Sequence, residues 1–65
     1  MIKSVIIFKP NQIAVFDIGA KLIRDGIDTD IIVRKITYRF GSTKVYLSNG
    51  EITEFKGLPV NLIHG

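Results

Sequence analysis

The sequence contains no cysteine and no tryptophan, and its one histidine, His64, is the residue before the last. Without cysteine there can be no disulfide, no thiolate chemistry and no cysteine-bound zinc. Small domains usually gain stability from disulfides, a metal ion or a partner subunit. With no cysteine and one histidine, association with a partner subunit is the remaining source of added stability. A cysteine-free chain also fits a reducing compartment, so we expect a cytoplasmic protein.

Long apolar runs are also missing. Residues 2–8 include a lysine and no small-residue cleavage site, so we expect neither a signal peptide nor a membrane-spanning segment. The 65 residues are enough for one domain, spanning 1–65, with one small core. Yet 46% of the residues are hydrophobic, which is high for a chain this short. We therefore expect a homodimer, in which one self-complementary apolar patch serves both subunits.

The apolar pattern has the period of strands rather than helices. Residues 2–8 are apolar on both faces and predict a central strand, and residues 12–18 predict a second strand. Residues 20–24 form either a strand or a helical turn. The aspartate-rich residues 25–30 predict a loop, residues 31–40 the longest strand, and residues 60–63 an edge strand or packed tail.

Two glycine-containing turns predict a C-terminal three-stranded meander. Two-residue loops at Gly41-Ser42 and Asn49-Gly50 would pair Tyr38 with Val45 and Leu47 with Ile52. Alternation then assigns Ile36, Tyr38, Val45, Leu47 and Ile52 to the core. Together with the short strands before it, this meander predicts a mainly β domain of five to six strands: a small antiparallel sheet or a partly open SH3-like barrel.

The same register predicts an outward face that combines cations and aromatic rings. Its members are Lys35, Arg39, Lys44, Tyr46 and Phe55, with Lys56 just beyond. Cations on such a face can meet phosphates or carboxylates, and exposed rings can stack on bases or enter protein pockets. The net charge of +3 has the same sign. These six residues are the predicted partner-binding site, although lysine and arginine also keep exposed strands soluble.

Groups that could carry catalysis are few. The six glycines are scattered singly and do not form a phosphate-binding loop. Asp25, Asp28 and Asp30 are close together, but their spacing is not that of a calcium loop, and a solvated turn explains them better. We therefore predict no enzymatic activity, no cofactor and no metal site.

Three kinds of binding function remain. The leading hypothesis is a protein-binding module, a regulator or inhibitor that docks on a larger protein. In size alone the chain resembles phage-encoded proteins that block host enzymes or defence systems. The alternative is a nucleic-acid-binding barrel that uses the basic and aromatic face. A further alternative is a structural subunit that self-assembles into a ring or filament.

Overall fold

A computed structural model describes all residues 1–65, and every regular element in it is a strand. The seven strands are β1 (Ile2–Phe8), β2 (Ile13–Asp17), β3 (Lys21–Arg24), β4 (Ile27–Arg39), β5 (Ser42–Leu47), β6 (Ile52–Lys56) and β7 (Val60–His64). The predicted mainly β class is confirmed, with seven strands in place of five or six. The structure has no helix that could cross a membrane.

The strands form two antiparallel sheets. One has the order β2-β1-β7, and the other, which curls into half a barrel, has the order β3-β4-β5-β6. As the sequence predicts, β1 is a central strand and β4-β5-β6 is a meander. Residues 60–63 lie in an edge strand, and residues 21–24 of the ambiguous segment form a strand. The result is a small SH3-like, partly open barrel.

The chain passes from one sheet to the other at Gly19, which has a φ of 90°. Such a φ suits glycine because it lacks a Cβ. The N–H of Gly19 donates to the carbonyl of Val33 (2.8 Å), and the N–H of Val33 donates to the carbonyl of Ala20 (3.1 Å). This corner joins the end of β2 to the middle of β4 and therefore ties the two sheets together.

A single apolar layer lies between the sheets. Its buried members are Val5 and Ile7 from β1, and Val33, Ile36, Val45 and Leu47 from β4 and β5. Half-buried side chains such as Phe16, Phe55 and Leu62 pack around them. The sequence predicts Ile36, Val45 and Leu47 as core residues, and they are. Tyr38, also expected there, is 41% exposed.

The first predicted turn is displaced by one residue. The loop is Phe40-Gly41, with φ of 50° and 74°, and Arg39 pairs with Ser42. Tyr38 therefore lies opposite Thr43, not Val45. This displacement slides the two strands by two residues relative to each other. Because side chains alternate with a period of two, Lys35, Arg39, Lys44 and Tyr46 stay on their predicted face.

The second predicted turn is wrong in length. The N–H of Gly50 donates to the carbonyl of Leu47, the N–H of Leu47 donates to the carbonyl of Glu51, and only Gly50 has a positive φ. This is a three-residue loop, residues 48–50, instead of the expected two-residue loop. It moves the register by one, so Tyr46 pairs with Ile52 and Thr43 with Phe55. Ile52 consequently points outward and Phe55 inward, the reverse of the prediction.

Two further departures concern β4. The predicted loop at residues 25–30 is only the turn Asp25-Gly26, and β4 begins already at Ile27. A β-bulge between Val33 and Lys35 leaves Arg34 exposed. Because of this extra residue, Val33 and Ile36 both face the core while Lys35 faces outward.

The core contains one buried hydroxyl without a protein hydrogen-bond partner, that of Thr43, which is 1% exposed. We expect Thr43→Val to raise the free energy of unfolding by about 1 kcal/mol, because it removes an unpaired polar atom at nearly constant volume. The melting temperature should rise by roughly 4–8 °C. Thr37→Val on the outer face is the control and should change little. A lower melting temperature for Thr43→Val would mean that the hydroxyl is satisfied.

A second prediction concerns Glu51 beside the 48–50 loop. Hydrogen bonds from the Arg24 guanidinium (3.1 Å) and the Asn49 amide, with the charge of Arg24, lower the pKa of Glu51 from its usual 4.5. A lowered folded-state pKa adds stability above the ordinary value, and this is lost as pH falls through the lowered value. Below about pH 5, wild type should therefore lose more stability than Glu51→Gln in urea titrations. Arg24→Gln should flatten the pH dependence in the same way, and parallel curves for all three proteins would contradict the assignment.

Candidate functional site

Three adjacent strands place a set of polar and charged side chains on the outer side of the four-stranded sheet. The pairing gives three rows across β4, β5 and β6: Lys35, Tyr46 and Ile52; Thr37, Lys44 and Glu54; Arg39, Ser42 and Lys56. All except Ile52 line one shallow depression, together with Phe40. We call these nine lining residues the basic face: Lys35, Thr37, Arg39, Phe40, Ser42, Lys44, Tyr46, Glu54 and Lys56.

Charge on the basic face is strongly of one sign. It contains four cations, Lys35, Arg39, Lys44 and Lys56, and a single carboxylate, that of Glu54. Residues directly opposite on neighbouring strands lie about 5 Å apart, and alternate residues on one strand about 7 Å apart. A bound anion can therefore meet several cations at once. The arrangement suits an extended acidic surface better than one small ion.

Glu54 stays charged at neutral pH and partly offsets these cations. The Ser42 hydroxyl donates to its carboxylate at 2.6 Å, and this bond, with the charges of Lys56 and Lys44, lowers the pKa of Glu54. Serine and glutamate are thereby held together on β5 and β6, where Glu54 lies directly opposite Lys44. The face thus favours anions while retaining one fixed acceptor for a partner's donor.

Two aromatic rings accompany the cations. The Lys35 ammonium lies 5.5 Å from the centre of the Tyr46 ring, its cross-strand partner. Phe40, at the tip of the β4-β5 hairpin, is 96% exposed, and the Arg39 guanidinium lies 5.6 Å from its ring centre. An exposed cation and ring of this kind attract each other by about 0.5–1 kcal/mol.

The structure brings together five of the six predicted binding residues: Lys35, Arg39, Lys44, Tyr46 and Lys56. Phe55 is the exception, and its predicted position on the outer face is wrong. Its half-buried ring lies 5.7 Å from that of Phe16, between the sheets, with the Lys9 ammonium 5.4 Å from its centre. The physical reason is the one-residue shift produced by the 48–50 loop.

Phe40 is the residue that the sequence did not reveal. Aromatic residues favour strands and serine favours turns, so Gly41-Ser42 was the expected loop. One signal in the sequence could have indicated the observed loop: a Phe40-Gly41 loop fits the alternation of the flanking strands as well as a Gly41-Ser42 loop does. A bulky side chain at positive φ is uncommon and strains the backbone, so the surrounding structure must hold it in place.

The three aspartates of residues 25–30 are divided between a turn and a strand. Asp25 is in a turn, whereas Asp28 and Asp30 are on β4, and no three histidine, aspartate or glutamate side chains gather closely enough to hold a metal ion. Comparison of the chain with protein-family models, curated proteins and solved structures gives no match.

The strained turn gives a prediction about stability. We expect Phe40→Asn to raise the free energy of unfolding by about 1 kcal/mol, because asparagine adopts positive φ more readily than phenylalanine. The urea midpoint should increase at unchanged m value. Phe40→Ala, which removes the ring but keeps a Cβ at positive φ, should leave stability nearly unchanged. Destabilisation by both variants would show that the Phe40 ring supports the fold.

Proposed function

We propose that this protein is a small, non-catalytic docking module that binds an acidic surface of a larger protein through its basic face. The observation that carries the proposal is the exposure of Phe40. Its ring is almost fully exposed, in a strained turn, beside four cations and Tyr46. Asparagine or glycine would suit this turn better, so the turn itself does not call for an aromatic residue. Strained residues of this kind often serve a binding role.

The residues on this face have complementary roles in such an interface. Phe40 is the anchor that enters an apolar pocket of the partner, because buried aromatic side chains dominate binding energy. Arg39 can form paired hydrogen bonds with a carboxylate, while Lys35, Lys44 and Lys56 attract acidic groups around the anchor. Tyr46 adds apolar contact and a hydroxyl.

Docking supports regulation or inhibition rather than turnover. A domain of 65 residues that covers an acidic active-site rim or substrate groove would block access to a larger enzyme. In its most specific form, the proposal is that the target is an acidic host enzyme or defence protein of the kind that small phage inhibitors block. The cysteine-free sequence favours the cytosol as the setting.

Single-stranded nucleic acid is the second candidate. The Lys35 and Tyr46 pair favours it, since a base could stack on the ring while the ammonium contacts phosphate. If all four cations contact phosphates, the logarithm of affinity should fall against that of salt with a slope of about −3. A pocket filled by Phe40 adds binding energy that salt does not remove.

The test combines matched variants with two ligands. Tagged wild type, Phe40→Ala, Lys44→Glu and Lys21→Glu are used to capture partners from lysate of the native cell, with and without nuclease. Lys21→Glu is the control, because it changes net charge equally but lies on β3, off the basic face. Binding to oligothymidylate is measured in parallel over a range of salt concentrations.

For the docking module we expect a stoichiometric protein that survives nuclease and is retained by Lys21→Glu. Phe40→Ala should weaken its binding at least tenfold, as truncation of a hot spot does, and Lys44→Glu should weaken it as well. Capture that vanishes with nuclease, together with tight oligothymidylate binding of slope near −3, would replace this proposal with the nucleic-acid candidate. Equal binding by all four proteins would refute the basic face as the site.

A further inference from the structure

The outer side of the three-stranded sheet has a character opposite to that of the basic face. Val5 and Ile7 of β1 point into the core, so Ser4, Ile6 and Phe8 point outward. The pairing sets Phe8 beside Ile13, Ile6 between Asn61 and Val15, and Ser4 between Ile63 and Asp17. We call five of these residues the apolar face: Ile6, Phe8, Ile13, Val15 and Ile63.

The five side chains form a contiguous patch that the core does not use. None of them is among the residues packed against the buried cluster. Phe8 and Ile63 are 42% and 41% exposed, and Ile13 and Val15 are 61% and 55% exposed. Single exposed apolar residues are ordinary, but a continuous apolar sheet face marks an interaction surface.

We propose that the apolar face joins two copies of this chain, sheet against sheet, in a two-fold symmetric homodimer. The core of one copy has only six buried apolar residues and no disulfide. Packing two three-stranded sheets together about 10 Å apart adds a second apolar layer. A two-fold axis needs only one self-complementary patch.

The distribution of charge favours a second copy on this face. Asp17 is the one charged residue in the three outward rows, and the Ser4 hydroxyl donates to its carboxylate. The apolar face itself contains no cation, so two copies can meet there without repulsion between cations of the two faces. If the copies met at their basic faces instead, the four cations of one copy would lie against the four cations of the other. The basic faces would lie on the two outer sides of the dimer. Each copy is 19 Å across its shortest dimension, so they are separated by far more than the Debye length of about 8 Å.

The available area fits a dimer of moderate affinity. The exposed parts of Phe8, Ile13, Val15 and Ile63 together equal about two whole side chains, on the order of 300 Å² per copy. Burial on both copies, with the polar atoms around them, gives roughly 1,000 Å², the lower limit for a specific interface. We therefore expect dissociation within an accessible range of dilution.

The experiment measures molar mass by sedimentation equilibrium for wild type, Val15→Lys, Ile63→Lys and Ile52→Lys. The first two variants place a cation on the apolar face from the strands on either side of β1. Ile52→Lys is the matched control, since Ile52 is 56% exposed, as Val15 is 55%, but lies on the outer side of the four-stranded sheet. Far-UV circular dichroism checks that each variant is folded.

We expect wild type and Ile52→Lys to reach twice the 7.3 kDa chain mass, and both apolar-face variants to remain at that mass. Loss of dimer in Val15→Lys but not in Ile63→Lys would assign association to the edge of β2 and overturn the proposal. A wild type that stays monomeric, or one that instead binds neutral lipid vesicles, would also overturn it. Dissociation of the Ile52→Lys control would do the same.

A second measurement remains decisive if a variant fails to fold. Amide resonances of the wild type are followed by NMR through a dilution series. Shifts confined to the outer side of β1, β2 and β7 support the face-to-face dimer. Shifts concentrated on β4, β5 and β6, or no shifts at all, contradict it. This result is independent of what the basic face binds.

Discussion

The two hydrogen bonds of Val33 with the Gly19-Ala20 corner are the constraint on which the rest of the molecule depends. They fix where the chain leaves the three-stranded sheet, and they hold the middle of β4 against that point while the Val33 side chain fills the core. The bulge follows immediately, and it turns Lys35 outward. The position of the basic face is therefore set by a backbone junction beside β4, made by residues that do not belong to that face.

The sequence predicts most of the basic face, and the reason lies in the parity of the two hairpins. An error of one residue in the position of the first turn slides its strands by two residues, so Lys35, Arg39, Lys44 and Tyr46 keep their face. An error of one residue in the length of the second loop moves the register by one and exchanges Ile52 with Phe55. Alternation alone cannot distinguish a two-residue Asn-Gly loop from a three-residue loop that ends in the same glycine.

Other departures from the sequence-based expectations have similar local causes. The bulge at Arg34 cannot be predicted from local alternation, because it depends on the pairing of Val33 with Leu47 on another strand. The aspartates of residues 25–30 favour turns individually, but cross-strand pairing with β3 holds Asp28 in a strand. In both cases long-range pairing overrides a local preference.

The two outer faces together explain the unusual composition. A two-layer domain this small has room for six buried apolar residues in its core, so a chain with 46% hydrophobic residues must place many of them elsewhere. Four of these, Phe8, Ile13, Val15 and Ile63, lie together on the outer side of the three-stranded sheet, whereas seven of the nine lysines and arginines lie on strands of the other sheet. This separation lets one surface associate through apolar contact without weakening the attraction of the opposite surface for anions.

The order of strand pairing also has a consequence for the time course of folding. Four of the five strand pairings join neighbours in sequence, whereas β1 and β7 come from opposite ends of the chain. Closing so long a loop is slow relative to forming hairpins, so the pairing of β1 with β7 should be a late step. During synthesis on the ribosome, β1 emerges before the other six strands and receives its second neighbour, β7, last. The nascent chain is therefore most exposed to misassembly at β1, and rapid formation of the β1-β2 hairpin is its main protection.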